Sequence, residues 1–73
     1  MGALGNISGR DAARAFQRAG WSVAGQVGSH LILTKAGQRA NLAIPLHKEL
    51  ATGTLRALIR AAGMTVDDFL ALL

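Results

Sequence analysis

Two histidines, His30 and His47, are the residues of this sequence best suited to proton transfer. The chain has no cysteine, and imidazole is the side chain that ordinarily gains and loses a proton near neutral pH. His30 follows Gly28 and Ser29, at the junction of a glycine turn and an apolar strand. Glycine lets a phosphate approach the backbone closely, and the serine hydroxyl can donate to a phosphate oxygen. A rigidly held, open histidine there suits a general base or acid acting on a ribose 2′-hydroxyl.

Both histidines also have ordinary structural explanations. A histidine after Gly-Ser is commonly a turn residue. His47 follows Pro45 and Leu46 in a connector, where its ring can bond to nearby backbone. Alternatively, His47 acts beside Lys48 as a second proton-transfer group or as a phosphate contact. The residues alone leave these alternatives open.

Basic residues dominate the charge of the chain. Its 73 residues include eight lysines and arginines against four aspartates and glutamates, a net charge of +4. Arg10, Arg14 and Arg18 recur every fourth residue and therefore share one face of a predicted helix. That face is either a solvated surface or a stripe that binds phosphates or an acidic partner. The composition predicts a nucleic-acid partner, an acidic protein partner, or both.

The acidic residues and the missing cysteines exclude other chemistry. The four carboxylates form no cluster in the sequence, which argues against a two-metal nuclease centre. Without cysteine there is neither a disulfide nor a thiolate metal site. We therefore expect no metal and no cofactor. No apolar run approaches the ~20 residues of a membrane span, and no targeting segment is visible, so the expected location is the cytoplasm.

Three helices are predicted from their capping residues and from the helical spacing of apolar side chains. Ser8 is expected to cap the first helix, and Gly20 to end it. Thr52 is expected to cap the second, which ends at Gly63. Thr65 opens a short third helix near the C-terminus.

Three short strands lie between the first two helices. The apolar and β-branched runs predict strands over 21–27, 30–35 and 39–44, with Pro45 ending the last. Tight connections between them indicate an antiparallel meander. Residues 1–6 are expected to form a loose lead-in.

The resulting order of elements predicts an α+β fold in a single domain, residues 1–73. A three-stranded antiparallel sheet would be covered on one face by the helices, and Trp21 would lie in the core between them. This α-β-β-β-α order is also that of double-stranded-RNA-binding domains, an analogy that does not establish function.

Several short segments together resemble a known family. They are Ala19-Gly20-Trp21, Gly28-Ser29-His30, Ile44-Pro45-Leu46-His47, Gly53-Thr54-Leu55-Arg56, Ala62-Gly63-Met64 and Phe69-Leu70. In this order and spacing, the chain resembles the HicA-type toxins, small ribonucleases paired with HicB-type antitoxins. The resemblance implies ribosome-independent cleavage of mRNA with His30 as the catalytic residue. The strand after His30 is more apolar and less basic than is usual in that family.

These observations predict a metal-independent endoribonuclease, the toxin of a type II toxin–antitoxin system, inhibited by a HicB-like antitoxin. His30 would act as general base or acid. RNA would be held by Gly28, Ser29, His47, Lys48, Arg10, Arg14 and Arg18. Further cations available for phosphates are Lys35, Arg39, Arg56 and Arg60. The alternatives are a non-catalytic RNA-binding module of the same fold and a purely protein-binding domain.

Overall fold

The computed structural model describes residues 4–73. Within this range the elements are α1 (Gly9–Arg18), β1 (Ser22–Val27), β2 (His30–Thr34), β3 (Leu42–Pro45), α2 (Thr52–Ala61) and α3 (Val66–Leu70). The strands form one antiparallel sheet in the order β1-β2-β3. The predicted α+β fold and its order of elements are confirmed. None of the helices in the described part of the chain is long and apolar enough to cross a membrane.

The sheet has one face covered by helices and one open face. Leu33, Leu42 and Ile44 point toward the helices and are almost completely buried. Ala43, between two of them on β3, is exposed on the other side. Because successive side chains of a strand alternate between faces, this burial pattern identifies the covered face.

The hydrophobic core lies between the covered face and the helices. Phe16 of α1 packs on Phe69 of α3 with ring centroids 5.0 Å apart. Trp21 is 3% exposed, as predicted, and its indole Nε1 finds no hydrogen-bond partner among residues 4–73. The predicted loose lead-in over residues 1–6 is wrong at Leu4, which is buried in this core. Residues 1–3 lie outside the described range.

Local capping bonds set the ends of two helices as the sequence predicts. The Ser8 hydroxyl accepts a hydrogen bond from the Asp11 backbone N–H at 3.0 Å, at the start of α1. A reciprocal capping box joins Thr65 and Asp68 at the start of α3. Such bonds involve residues three apart, so the sequence alone is enough to predict them.

Several predicted boundaries are wrong. β1 begins at Ser22 and β2 ends at Thr34, each one residue inside its predicted range. Thr52 is the first residue of α2, and the residue before it, Ala51, makes no capping bond with its side chain. β3 begins at Leu42 and not at Arg39, because the chain between β2 and β3 is still turning at residues 39–40. The connection between β2 and β3 therefore extends beyond the turn at Gly37, past the predicted start of the strand at residue 39.

Pro45 is the last residue of β3 and not the residue after it. The neighbouring Leu46 N–H donates to the Ser29 carbonyl across the sheet at 2.8 Å. Since alternate backbone nitrogens of an antiparallel strand point to opposite sides, the Pro45 nitrogen points away from β2. The missing N–H of proline therefore costs no sheet hydrogen bond.

Lys35 has a structural partner that the sequence did not reveal. Its ammonium donates a hydrogen bond to the Ala19 carbonyl at the C-terminal end of α1, at 2.9 Å. A cation at this end of a helix is favourable because the last carbonyls carry partial negative charge. Lys35 is therefore engaged in holding α1 to the end of β2.

Candidate active site

A two-residue turn between β1 and β2 positions His30. Val27 pairs with His30 across the hairpin, which leaves Gly28 and Ser29 as the turn. Gly28 has a φ of 58°, and a type II′ turn needs such a left-handed residue at its first central position. Gln26 Nε2 donates to the Gly28 carbonyl at 3.0 Å. A hairpin this tight fixes the register of β2, and the register decides which face His30 occupies.

His30 lies on the open face of the sheet. Leu31 and Leu33 pack toward the core, so His30 and Ile32 point the opposite way. His30 is exposed, as are the two turn residues before it. Its ring is therefore accessible to a ligand that lies across the open face.

The end of β3 brings His47 close to His30. His30 pairs directly with Pro45, and the bond from Leu46 to Ser29 extends the ladder by one residue. One further step of the same pairing would set His47 opposite Gly28, in the β1–β2 turn. In an antiparallel pair, this diagonal neighbour lies about 7–8 Å away between Cα atoms. The two histidines thus share one exposed end of the sheet.

The first turn of α1 lies against the same end. The Gly9 N–H donates to the His47 carbonyl at 2.9 Å. A Cβ atom on Gly9 would lie 2.0 Å from the Pro45 carbonyl oxygen, so this approach needs glycine. Arg10 follows Gly9 directly and is exposed. We call the following set the histidine patch: Gly28, Ser29, His30, His47, Lys48 and Arg10.

The arginines of α1 are exposed on one face, but they do not all reach the histidine patch. A helix rises ~1.5 Å per residue, so Arg18 lies about 12 Å farther along the axis than Arg10. Arg14 pairs with the Asp11 carboxylate at 3.5 Å, and Arg18 donates to the Leu72 carbonyl. Arg10 is therefore the one arginine of α1 at the histidine-patch end of the helix, whereas Arg18 is held against the C-terminal residues.

The four carboxylates are dispersed. Asp11, in the first turn of α1, pairs with Arg14. Glu49 accepts a hydrogen bond from the Asn6 N–H at 3.3 Å, and Asp67 and Asp68 lie in the first turn of α3. Among residues 4–73, no three His, Cys, Asp or Glu side chains converge as metal ligands would.

Two surface clefts lie away from the histidine patch. One of about 350 Å³ lies between α1 and the C-terminal residues and includes Arg18 and Leu73. The other, of about 320 Å³, follows α2 and includes Arg60 and Met64. The histidine patch itself is an open surface. An open surface suits an extended polymer better than a small molecule, which usually binds in a cavity.

A comparison with protein families matches residues 9–64 to the family described as HicA toxin of bacterial toxin-antitoxin. The chain belongs to the HicA toxin family. It is therefore a toxin of a bacterial toxin–antitoxin system, and its partner belongs to that system. Every residue of the histidine patch lies inside the range matched to the HicA family. A comparison with curated proteins gives no significant match.

Gly9 is the residue of this HicA-family site that sequence reasoning missed. The only signal was a weak helix former at the first position of a helix, next to a serine that already serves as the cap. Its role depends on Pro45 and His47, which are distant in sequence. Local reasoning therefore had no means of finding the contact.

Proposed function

We propose that this HicA-family toxin is a cytoplasmic endoribonuclease that cleaves mRNA without a metal ion, with His30 as its general base. The observation that carries the proposal is the place of His30, exposed on the open face and fixed by a two-residue turn. Lys48 and Arg10 add positive charge around it, and Ser29 adds a hydroxyl. These groups are suited to hold the phosphates on either side of the cleaved bond.

The proposed reaction uses these groups as follows. The His30 imidazole removes the proton of a ribose 2′-hydroxyl, and the 2′-oxygen forms a bond to the adjacent phosphorus. The bond from phosphorus to the 5′-oxygen breaks, and that oxygen takes up a proton. The products are a 2′,3′-cyclic phosphate and a 5′-hydroxyl. Proton transfer of this kind contributes about 10²- to 10⁴-fold, and fixed cations stabilise the extra charge of the transition state.

We propose a HicB-like antitoxin as the partner of this toxin. The net charge of +4 favours an acidic contact surface on that partner. An antitoxin that covers the histidine patch would block RNA directly.

Cleavage should persist in excess EDTA and should yield 2′,3′-cyclic phosphate ends. The reason is that a histidine base and fixed cations supply the chemistry, and no carboxylate belongs to the histidine patch. The assay uses purified toxin and an RNA transcript, with end-group analysis of the fragments. Activity that is lost in EDTA and restored by magnesium would contradict the mechanism. Salt-dependent binding without any cleavage would instead support the non-catalytic RNA-binding module.

Arg10→Gln should weaken RNA binding more than Arg18→Gln. Arg10 lies at the histidine-patch end of α1, whereas Arg18 is bonded to the Leu72 carbonyl at the other end of the helix. Loss of one phosphate contact should reduce the slope of log affinity against log salt by about 0.7–0.9. Affinities are measured in a His30→Ala background so that the RNA stays intact. Equal slopes for the two variants would mean that RNA does not follow the Arg10 end of the helix.

A further inference from the structure

We propose that His47 is the general acid that protonates the 5′-oxygen as it leaves. The inference rests on the ribonuclease function proposed above and assigns the second proton transfer of that reaction. His30 accounts for the proton that leaves the 2′-hydroxyl. It does not account for the proton that the 5′-oxygen gains.

The chemistry calls for a second group at a distance from the first. An alkoxide is a poor leaving group, so breaking the bond to the 5′-oxygen is faster when a nearby acid donates a proton. The attacking and leaving oxygens lie on opposite sides of the phosphorus in an in-line displacement. The base and the acid must therefore flank the phosphate.

The pairing of β2 with β3 supports a placement in which the two histidines flank a bound phosphate. His30 pairs with Pro45, and His47 is the diagonal neighbour, about 7–8 Å away between Cα atoms. β3 ends at Pro45, and we infer that the chain stays extended to His47, because the Leu46 N–H bonds toward β2 while the His47 carbonyl bonds toward α1. Residues two apart on an extended chain share a face, which puts His47 on the side of Pro45 and His30. A phosphate between the two imidazoles would meet one ring on each side.

Two backbone hydrogen bonds hold His47 in this place. Leu46 N–H donates to the Ser29 carbonyl at 2.8 Å, and the His47 carbonyl accepts from the Gly9 N–H at 2.9 Å. The first bond ties the segment to the β1–β2 turn, and the second ties it to α1. The backbone of His47 is anchored while its side chain remains exposed.

The neighbouring cations are less suitable as acids. A lysine ammonium, such as that of Lys48, is ordinarily a much weaker acid than an imidazolium. The guanidinium of Arg10 does not give up a proton in proteins. In the proposed step, protonated His47 transfers its proton to the 5′-oxygen while neutral His30 accepts the 2′ proton, so the proton count balances. Exchange with water restores both rings.

The test compares two RNA substrates with the His47→Gln variant. One is an oligoribonucleotide with a junction that the wild type cleaves. The other is the same oligomer with sulfur in place of the bridging 5′-oxygen at that junction. A thiolate leaves without protonation, so the sulfur substrate does not need a general acid. His47→Gln should slow cleavage of the ordinary RNA about 10²- to 10⁴-fold and of the sulfur RNA less than tenfold. His30→Ala should slow both, because both reactions need the base.

The outcomes separate the possible roles. Equal losses on the two substrates would overturn the acid role and assign His47 to binding or positioning. A wild-type rate on ordinary RNA would also overturn it, while leaving the ribonuclease function standing. If the wild-type protein cleaves neither substrate, the ribonuclease function itself fails, and the role of His47 fails with it.

Discussion

Replacing His30 by alanine should abolish RNA cleavage and leave the fold intact. The variant removes the proposed general base, so the rate should fall about 10²- to 10⁴-fold. The side chain is exposed on the open face and contributes nothing to the buried core. Surface substitutions change the free energy of unfolding by about 0.5 kcal/mol or less, so Tm should move by no more than roughly 4 °C. The measurements are cleavage of a defined RNA and a thermal unfolding curve.

A matched control for this variant is Thr34→Ala, at the other end of β2. Thr34 lies on the same face of the same strand and is remote from the histidine patch. The Thr34→Ala variant should cleave RNA at close to the wild-type rate. If the His30→Ala variant cleaves RNA as fast as the wild type, His30 is not the general base, whatever the control shows.

Gly9→Ala should be the most destabilising single change at this site. The added Cβ would lie 2.0 Å from the Pro45 carbonyl oxygen and 2.9 Å from the Leu46 Cα. Both neighbours are backbone atoms, so α1 or the end of β3 must move. Forcing an extra carbon into a packed contact costs about 1–3 kcal/mol. Unfolding in urea should show this loss, and cleavage should fall as well because Gly9 bonds to the His47 carbonyl.

The chain contains a control with the same chemistry and the opposite expectation. Gly53 lies in the first turn of α2, and a Cβ added there would meet nothing within 4 Å. Gly53→Ala should stabilise the protein by about 0.4–1 kcal/mol, because alanine restricts the unfolded chain more than glycine does. If both variants had the same stability, the close approach of α1 to Pro45 would be refuted.

Features set by neighbouring residues were predictable from the sequence. Ser8 and Thr65 bond to groups three residues away, so their caps follow from local spacing. Features set by strand pairing were not predictable. Val23 pairs with Leu33 and so lies on the covered side, as alternation from Trp21 predicts, but it is exposed because β1 is an edge strand. The β1–β2 register then shifts between Val23 and Gly25. A bulge changes which residues face the core; Gly25 suggested a turn or a bulge, but its type and exact position are set by the pairing with β2.

The candidate site divides in the same way. The Gly28-Ser29-His30 motif predicted that His30 would follow a tight turn, but the face that its ring occupies depended on the strand register. A shift by one residue would have turned His30 toward the helices. The two-residue turn settles that orientation, because it fixes Val27 opposite His30. The approach of Gly9 to His47 joins two distant segments, and only the folded chain shows it.

The burial of Trp21 gives this protein an internal optical probe. It is the single tryptophan of the sequence, and there is no tyrosine, so ultraviolet emission excited at long wavelength comes from one known place in the core. Loss of the contacts between α1 and the sheet would expose the indole to water and move its emission to the red. The unfolding of every variant described above can therefore be followed by fluorescence without a label.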